Sequence, residues 1–395
     1  MRVTSRVVLL LALFASLISF VKFNHCANTG WQGPDQYIHA CYSDIPALYS
    51  ERELDKGVWA YSSGNKSVEY PVIQGAVMWL SAKVIPAGVA NYFYGSAILL
   101  ALLFIFIAFI TFKIRPEFTY LLPLAPAMVA SLYINWDLWA IATMMLAIYW
   151  FDKKAEFASA VALGIAISTK FLPVFLLIPI AIIFFRQEKI SKFFKYLAIS
   201  IAVFLSINLP VALTTPEGWW RFYSMNLHRG SDWGSIWYAL SNFGIDLTHQ
   251  NYLSVLTLLI GLTALTIYLL QLRAVPSLAQ AAFLVMVVVM AASKVYSPQY
   301  VLWLTPLALI AMIDKGELRA FWFWQGAELI YHIAIWQHLA LITGAAFGLP
   351  VIAYSGAILL RIGASILLAV RLAARQQSSR VFPSEFLFST TQSYP

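Results

Sequence analysis

Apolar runs make up most of this chain, and its polar residues gather in a few stretches between them. The runs come close to the ~20 residues that a helix needs to cross a bilayer. One stretch breaks the pattern: residues 31–75, WQGPDQYIHACYSDIPALYSERELDKGVWAYSSGNKSVEYPVIQG, form a long polar loop after the apolar segment Val7–Val21. It carries Asp35 and Asp44, and Glu69-Tyr70-Pro71 leads the chain back toward the membrane. Thr119–Phe151 and Phe157–Phe185 are each too long for one span; the first is broken by Asn135 and Asp137, the second by Lys170 and Pro173. Each reads as a short hairpin with its polar tip shallow in the bilayer.

The basic residues orient these spans. Arg2 and Arg6 precede the first run, and later clusters fall at Lys113/Arg115, Lys153/Lys154, Arg186–Lys195, Arg273, Lys315/Arg319 and Arg371–Arg380. Placing every cluster in the cytoplasm gives an all-α polytopic bundle of about 12 spans with both termini inside. Pro71–Ile85 is then a juxtamembrane or re-entrant helix, because a full span there would move Lys113 and Arg115 outside. The first run is expected to be retained as a helix: no A-x-A site precedes Lys22, and Phe20, Phe23 and His25 suit cleavage poorly. The chain reads as one domain over 1–375, with a first extracytoplasmic loop at 22–70 containing juxtamembrane helices. A second large outer loop follows at 214–251. Residues 376–395 lack periodicity and are expected to be a disordered cytoplasmic tail.

Composition agrees with a plasma-membrane location and removes several alternatives. The 395 residues are 61% hydrophobic and only 11% charged, against about 25% charged in soluble domains. Two cysteines cannot staple a scaffold; Cys26 and Cys41 either remain free thiols or close an outer loop of about 15 residues, worth ~3 kcal/mol. The net charge of +8 reads as topology and contact with anionic membrane lipids rather than nucleic acid. No Gly-rich phosphate loop and no metal-ligand spacing is present, so neither a cofactor nor a metal is expected.

Charges near a bilayer cost ~2.5–3.5 kcal/mol each on insertion scales and mark function by default. Lys170, Arg229 and Lys294 all fall on the outer side, against the positive-inside bias, and together suit a lipid phosphate. A lone lysine would otherwise be read as snorkelling to the interface. The Trp-rich loop Trp219–Leu240 adds His228 and Asp232; aromatic faces and Arg suit sugars and phosphates, although such aromatics are also an ordinary interfacial belt. Asp44 has two readings, a helix cap and a general base. Glu328, Tyr331 and His332 share one helix face, where Glu328 and His332 either meet a substrate or pair with each other to lock helices.

CYSDIPALY, VEYPV, NWDLWAI, STKFLPVFLL and KVYSPQYVLWLTPL occur in this order. Together they resemble the actinobacterial membrane proteins related to glycosyltransferase family 87, polyprenol-phosphate-mannose-dependent mannosyltransferases of the GT-C fold. The resemblance covers roughly residues 5–372. It implies an inverting hexosyltransferase with a polyprenyl-phosphate sugar donor, a lipid or glycan acceptor, and a catalytic Asp in the first outer loop. Asp44 matches that Asp best and Asp35 second. Tyr70-Pro71 matches the family's Tyr-Pro-Pro signal, with Val72 as a departure, and His228 and His332 are the nearest candidates for a late-loop His. The expected site therefore has Asp44 as base and Lys170, Arg229 and Lys294 on the donor phosphate. Asp35, Tyr49, Glu69, Tyr70, Asp137, His228, Asp232, Tyr300, Glu328 and His332 are expected around the substrates. The competing class is a transporter or flippase, which would use the same polar groups as a translocation path.

Overall fold

The computed structural model describes residues 4–378 except residue 63, and among these the protein is all-helical. α1 (Ser5–Thr29) ends where Gly30 takes a left-handed conformation at φ 76°, which glycine adopts without steric cost. The first loop then folds into two short helices, α2 (Asp35–Ile38) and α3 (Asp44–Glu51), and returns through α4 (Val72–Val84). At 13 residues, α4 falls short of the ~20 that a full span needs. α5 (Val89–Ile114) packs against α1.

The two interrupted apolar stretches break where their polar residues fall. α6 (Pro126–Ser131) stops before Asn135-Trp136-Asp137, and α7 (Leu138–Asp152) starts just after it. α8 (Glu156–Thr169) stops at Lys170; a 3-10 turn and α9 (Leu177–Arg186) complete that hairpin. α10 (Ile190–Thr214) packs on α8, and α11 (Pro216–His228) and α12 (Ile236–Asn242) carry the second large loop into α13 (Gln250–Gln271). α14 (Leu278–Ala292) opens with a capping box between Ser277 and Gln280. α15 (Val301–Ala311), α16 (Leu318–Ile342) and α17 (Val351–Ser378) close the bundle, with α16 against α17. α17 runs through Ser378, so the tail expected from residue 376 begins as helix: Ala373, Ala374 and Gln376 are good helix formers. The rest of that segment lies outside the described residues.

Among the described residues, five helices are long and apolar enough to cross a membrane: α1, α5, α10, α13 and α17 over Val351–Ala374. α10 and α13 bury little of their surface in the protein, and large side chains such as Leu205, Leu209, Leu256 and Leu259 are exposed. Apolar faces of this extent suit lipid. α16 has 25 residues but is diluted by Gln325, Glu328, His332, Gln337 and His338. α7, α8, α14 and α15 have only 11–15 residues. The core lies among these shorter helices, where Met144, Leu163, Phe283, Trp303 and Leu307 are fully buried.

Candidate functional site

The short helices stop around a cavity of about 1220 Å³. Asp137 caps the start of α7, Lys170 the end of α8, Ser293 the end of α14, and Tyr300 the start of α15. One level of the bundle thus collects four helix ends, and the first loop, the α11–α12 loop and α16 wall the space above it. Asp44, Glu69, Tyr70, Lys170, Arg229, Asp232, Lys294 and Tyr300 all line it. Residues from Tyr37 to Thr343, nearly the whole length of the chain, therefore share one space.

Asp44 is placed by its neighbours. Ser43 is the N-cap of α3, its hydroxyl accepting from the Ile45 amide at 3.2 Å, so the capping role considered for Asp44 belongs to Ser43. The Ser43 hydroxyl donates to the Tyr133 carbonyl at 2.7 Å, and the Asp44 amide to the Ile134 carbonyl at 2.7 Å. These bonds fasten the first loop to the break before α7 and turn the Asp44 carboxylate to the cavity. Tyr42 donates to its Oδ1 at 2.9 Å. Burial pushes the Asp44 carboxyl up to about 7; the Tyr42 hydrogen bond and Lys170 pull it down, while Asp137 and Glu69 push it up. A carboxylate in that range can exchange a proton near neutral pH.

Lys170 enters the cavity from the opposite wall. Its ammonium is paired with Asp137 Oδ1, and Trp303 Nε1 donates to Asp137 Oδ2 at 2.8 Å. Asp137 is buried, donates its amide N–H to the Asn135 side-chain oxygen at 3.0 Å, and lies outside the lining. Its carboxylate is thus engaged by Lys170 and Trp303, outside the cavity that it was expected to line. The rings of Tyr70 and Tyr300 lie 5.5 and 5.7 Å from the ammonium, positions that stabilise a cation. Lys294 donates to the Arg229 carbonyl at 2.9 Å and to Asn251 Oδ1 at 2.7 Å, and burial together with Arg229 pushes its ammonium down. Arg229 stands 3.9 Å from Asp232, which accepts from the Ser297 hydroxyl at 3.1 Å. Gly234 lets this loop close down, since a Cβ there would overlap the Tyr296 carbonyl and the Tyr331 hydroxyl.

Glu69 lines the cavity but is engaged by Arg52 through two bonds, at 2.6 and 2.7 Å. Five expected residues, besides Asp137, lie outside the lining. Tyr49 is buried against Tyr92, with ring centroids 4.3 Å apart. His228 is exposed at the end of α11, bonded to the Ser224 carbonyl. Asp35 is held by His25, His39 and Thr29, a cluster of possible metal ligands that sequence spacing did not reveal. Glu328 and His332 share a face but do not pair. Glu328 forms a buried ion pair with Arg361 of α17 at 3.3 Å, and His332 contacts Lys22 at 3.0 Å, Trp336 and Ser131.

Sequence reading missed Arg361 and the aromatic wall. Arg361 had a usable signal, a lone charge within an apolar helix. The wall had none: Tyr37, Tyr42 and Trp336 line the cavity, with Tyr37 5.7 Å from Tyr42 and 6.2 Å from Trp336. Cys26 and Cys41 are bonded, which resolves that pair. A second cavity of about 420 Å³, lined by Arg115, Asp152, Lys154 and Ser277, lies at the far ends of α7 and α14. Buried Ile141, Met145, Leu284, Leu304 and Leu307 fill the layer between the two. No protein-family model and no curated protein matches this chain.

Proposed function

We propose that the protein is a membrane glycosyltransferase of GT-C type, transferring a sugar, mannose by the family resemblance, from a polyprenyl phosphate to a lipid or glycan acceptor. The observation that carries this reading is one cavity holding an Asp44 carboxyl raised to about 7 together with Lys170, Arg229 and Lys294. Its lining also includes the apolar Phe171, Phe175, Leu258 and Val289, which suit a prenyl chain entering sideways from lipid. The donor phosphate lies against Lys170, with Arg229 and Lys294 near it. Asp44 takes the proton of the acceptor hydroxyl, whose oxygen forms the new bond to the anomeric carbon. The bond from that carbon to the phosphate oxygen breaks, and the electron pair leaves on polyprenyl phosphate, where cationic groups stabilise the growing charge.

In this reading the bundle has about 12 crossings, the short helices being crossings that stop at the cavity. Both termini face the cytoplasm of a plasma membrane, the cavity opens on the outer side, and no metal enters the chemistry. The packed layer between the two cavities favours an enzyme over a transporter, whose path would join them. The test is transfer of radiolabelled sugar from polyprenyl-phospho-mannose to a lipid or glycan extract, in membranes carrying wild type or Asp44→Asn. Transfer by wild type and its loss in the variant is the expected result. No transfer by either protein across a panel of donors, with both folded, overturns the proposal in favour of transport.

A further inference from the structure

Beside the cavity, and outside its lining, His25, Asp35 and His39 bring three potential ligand atoms within 4.8 Å of one another. Asp35 Oδ2 is 3.0 Å from His25 Nε2, Asp35 Oδ1 is 2.9 Å from His39 Nδ1, and the two imidazole centroids are 3.7 Å apart. We propose that these three residues bind a divalent first-row transition ion of the zinc class at the lip of the cavity.

The donor set points to that class. Two imidazole nitrogens and one carboxylate oxygen are the borderline ligands that zinc and its neighbours take, whereas calcium and magnesium call for more oxygens. Zinc–ligand bonds of about 2.0–2.1 Å separate tetrahedral ligand atoms by roughly 3.3 Å. The two imidazole–carboxylate separations already stand near that spacing, so side-chain rotations would exchange those hydrogen bonds for coordination. The Thr29 hydroxyl donates to Asp35 Oδ2 at 2.9 Å, the kind of outer hydrogen bond that orients a ligating carboxylate. All three side chains are 34–47% exposed, which leaves entry open and a fourth position for water.

The fold also holds the ligands ready. His25 precedes Cys26 on α1, His39 lies two residues before Cys41, and the Cys26–Cys41 bond ties these segments together. Tyr37 stands on the same short helix as Asp35 and stacks in the cavity wall with Tyr42 and Trp336. A bound ion would therefore stiffen α2 and, through Tyr37, one rim of the cavity, whatever reaction the cavity performs. The competing description of the same atoms is a carboxylate hydrogen-bonded by two histidines without a cation.

The experiment uses the full chain, disulfide intact and free of any polyhistidine tag, purified in detergent. Equilibrium dialysis against zinc is read by elemental mass spectrometry, and cobalt substitution by its visible ligand-field bands. Wild type is expected to bind about one equivalent and to show tetrahedral cobalt bands. Asp35→Asn and His39→Gln are each expected to weaken zinc at least about tenfold while melting like wild type without metal. Should a variant fail to fold, the wild-type cobalt spectrum still decides: bands of a hexa-aquo ion overturn the proposal. Sub-stoichiometric zinc on wild type, or unchanged affinity in folded variants, overturns it as well.

Discussion

Two charged networks lie inside this apolar bundle, one sealed and one open. In the sealed one, Arg361 and Glu328 are 0% and 1% exposed, and the guanidinium is sandwiched between the Tyr296 and Tyr331 rings at 3.4 and 3.9 Å. Trp324 donates to Glu328 at 3.1 Å. Arg361 Nη2 donates to the Ser297 carbonyl at 3.0 Å, and the cavity does not reach the pair. In the open one, Lys170 is also paired, with Asp137, but keeps 17% of its side chain exposed to the cavity. Among the described residues, Asp44 has only Tyr42 as a hydrogen-bond donor to its carboxylate. The same chemistry of charge in a low-dielectric interior serves architecture where it is closed and leaves capacity for a ligand where it is not.

Five single substitutions and one double variant test that contrast, in falling order of expected effect. Asp44→Asn in the open network should lower sugar transfer by about 10²–10⁴-fold, the range of a lost general base, with no loss of thermal stability. Indeed, a carboxyl raised from its ordinary ~4 to about 7 holds its proton more tightly folded than unfolded, so its contribution to stability is lost as pH rises from about 4 to about 7. Melting curves of wild type and Asp44→Asn should therefore diverge in favour of the variant across that window. A variant that melts far below wild type would place Asp44 in the sealed class.

Arg361→Met should do the reverse. Leaving Glu328 buried and alone costs about 3–5 kcal/mol, read as a lower melting temperature, whereas transfer per folded molecule stays near wild type. Adding Glu328→Leu should recover much of the loss, because removing both charges removes the uncompensated one. If the single variant melts like wild type, the pair contributes nothing and the sealed description is wrong.

Lys170→Met should lower transfer by about 10²–10³-fold, as for other single groups that stabilise transition-state charge. Asp137→Asn should follow in the same direction with a smaller drop, since it acts through the position of Lys170; an equal or larger drop would mean that Asp137 touches substrate. The smallest effect belongs to Tyr42→Phe. Loss of its hydrogen bond removes an influence that lowers the Asp44 carboxyl, so the rise of transfer rate with pH, centred near 7 in wild type, should move to higher pH. A shift toward acid would contradict the assignment of Asp44 as base.

Much was legible from the chain in one dimension. Apolar runs and basic clusters identified an all-helical membrane protein, and the breaks at Asn135–Asp137 and Lys170 were visible as polar residues that an apolar helix cannot absorb. Charges between apolar runs marked Lys170, Arg229, Lys294 and Asp44, and all four line the cavity. Helix length was harder to read. α7, α8, α14 and α15 are apolar but fall short of the length that a full span needs.

Pairing was not legible at all. Shared helix faces suggested Glu328 with His332, yet a helix face records direction and not the neighbour across it; Arg361 of α17 and Lys22 of α1 took those partners. His25, Asp35 and His39 lacked ligand spacing because a disulfide and a short helix, rather than a regular repeat, bring them together. The sequence by itself determined which residues could not remain in an apolar interior unpartnered, since the cost of burying polar groups depends on residue type. Only the tertiary structure decided which of them met another protein group and which faced a cavity, because that depends on contacts between segments far apart in the chain.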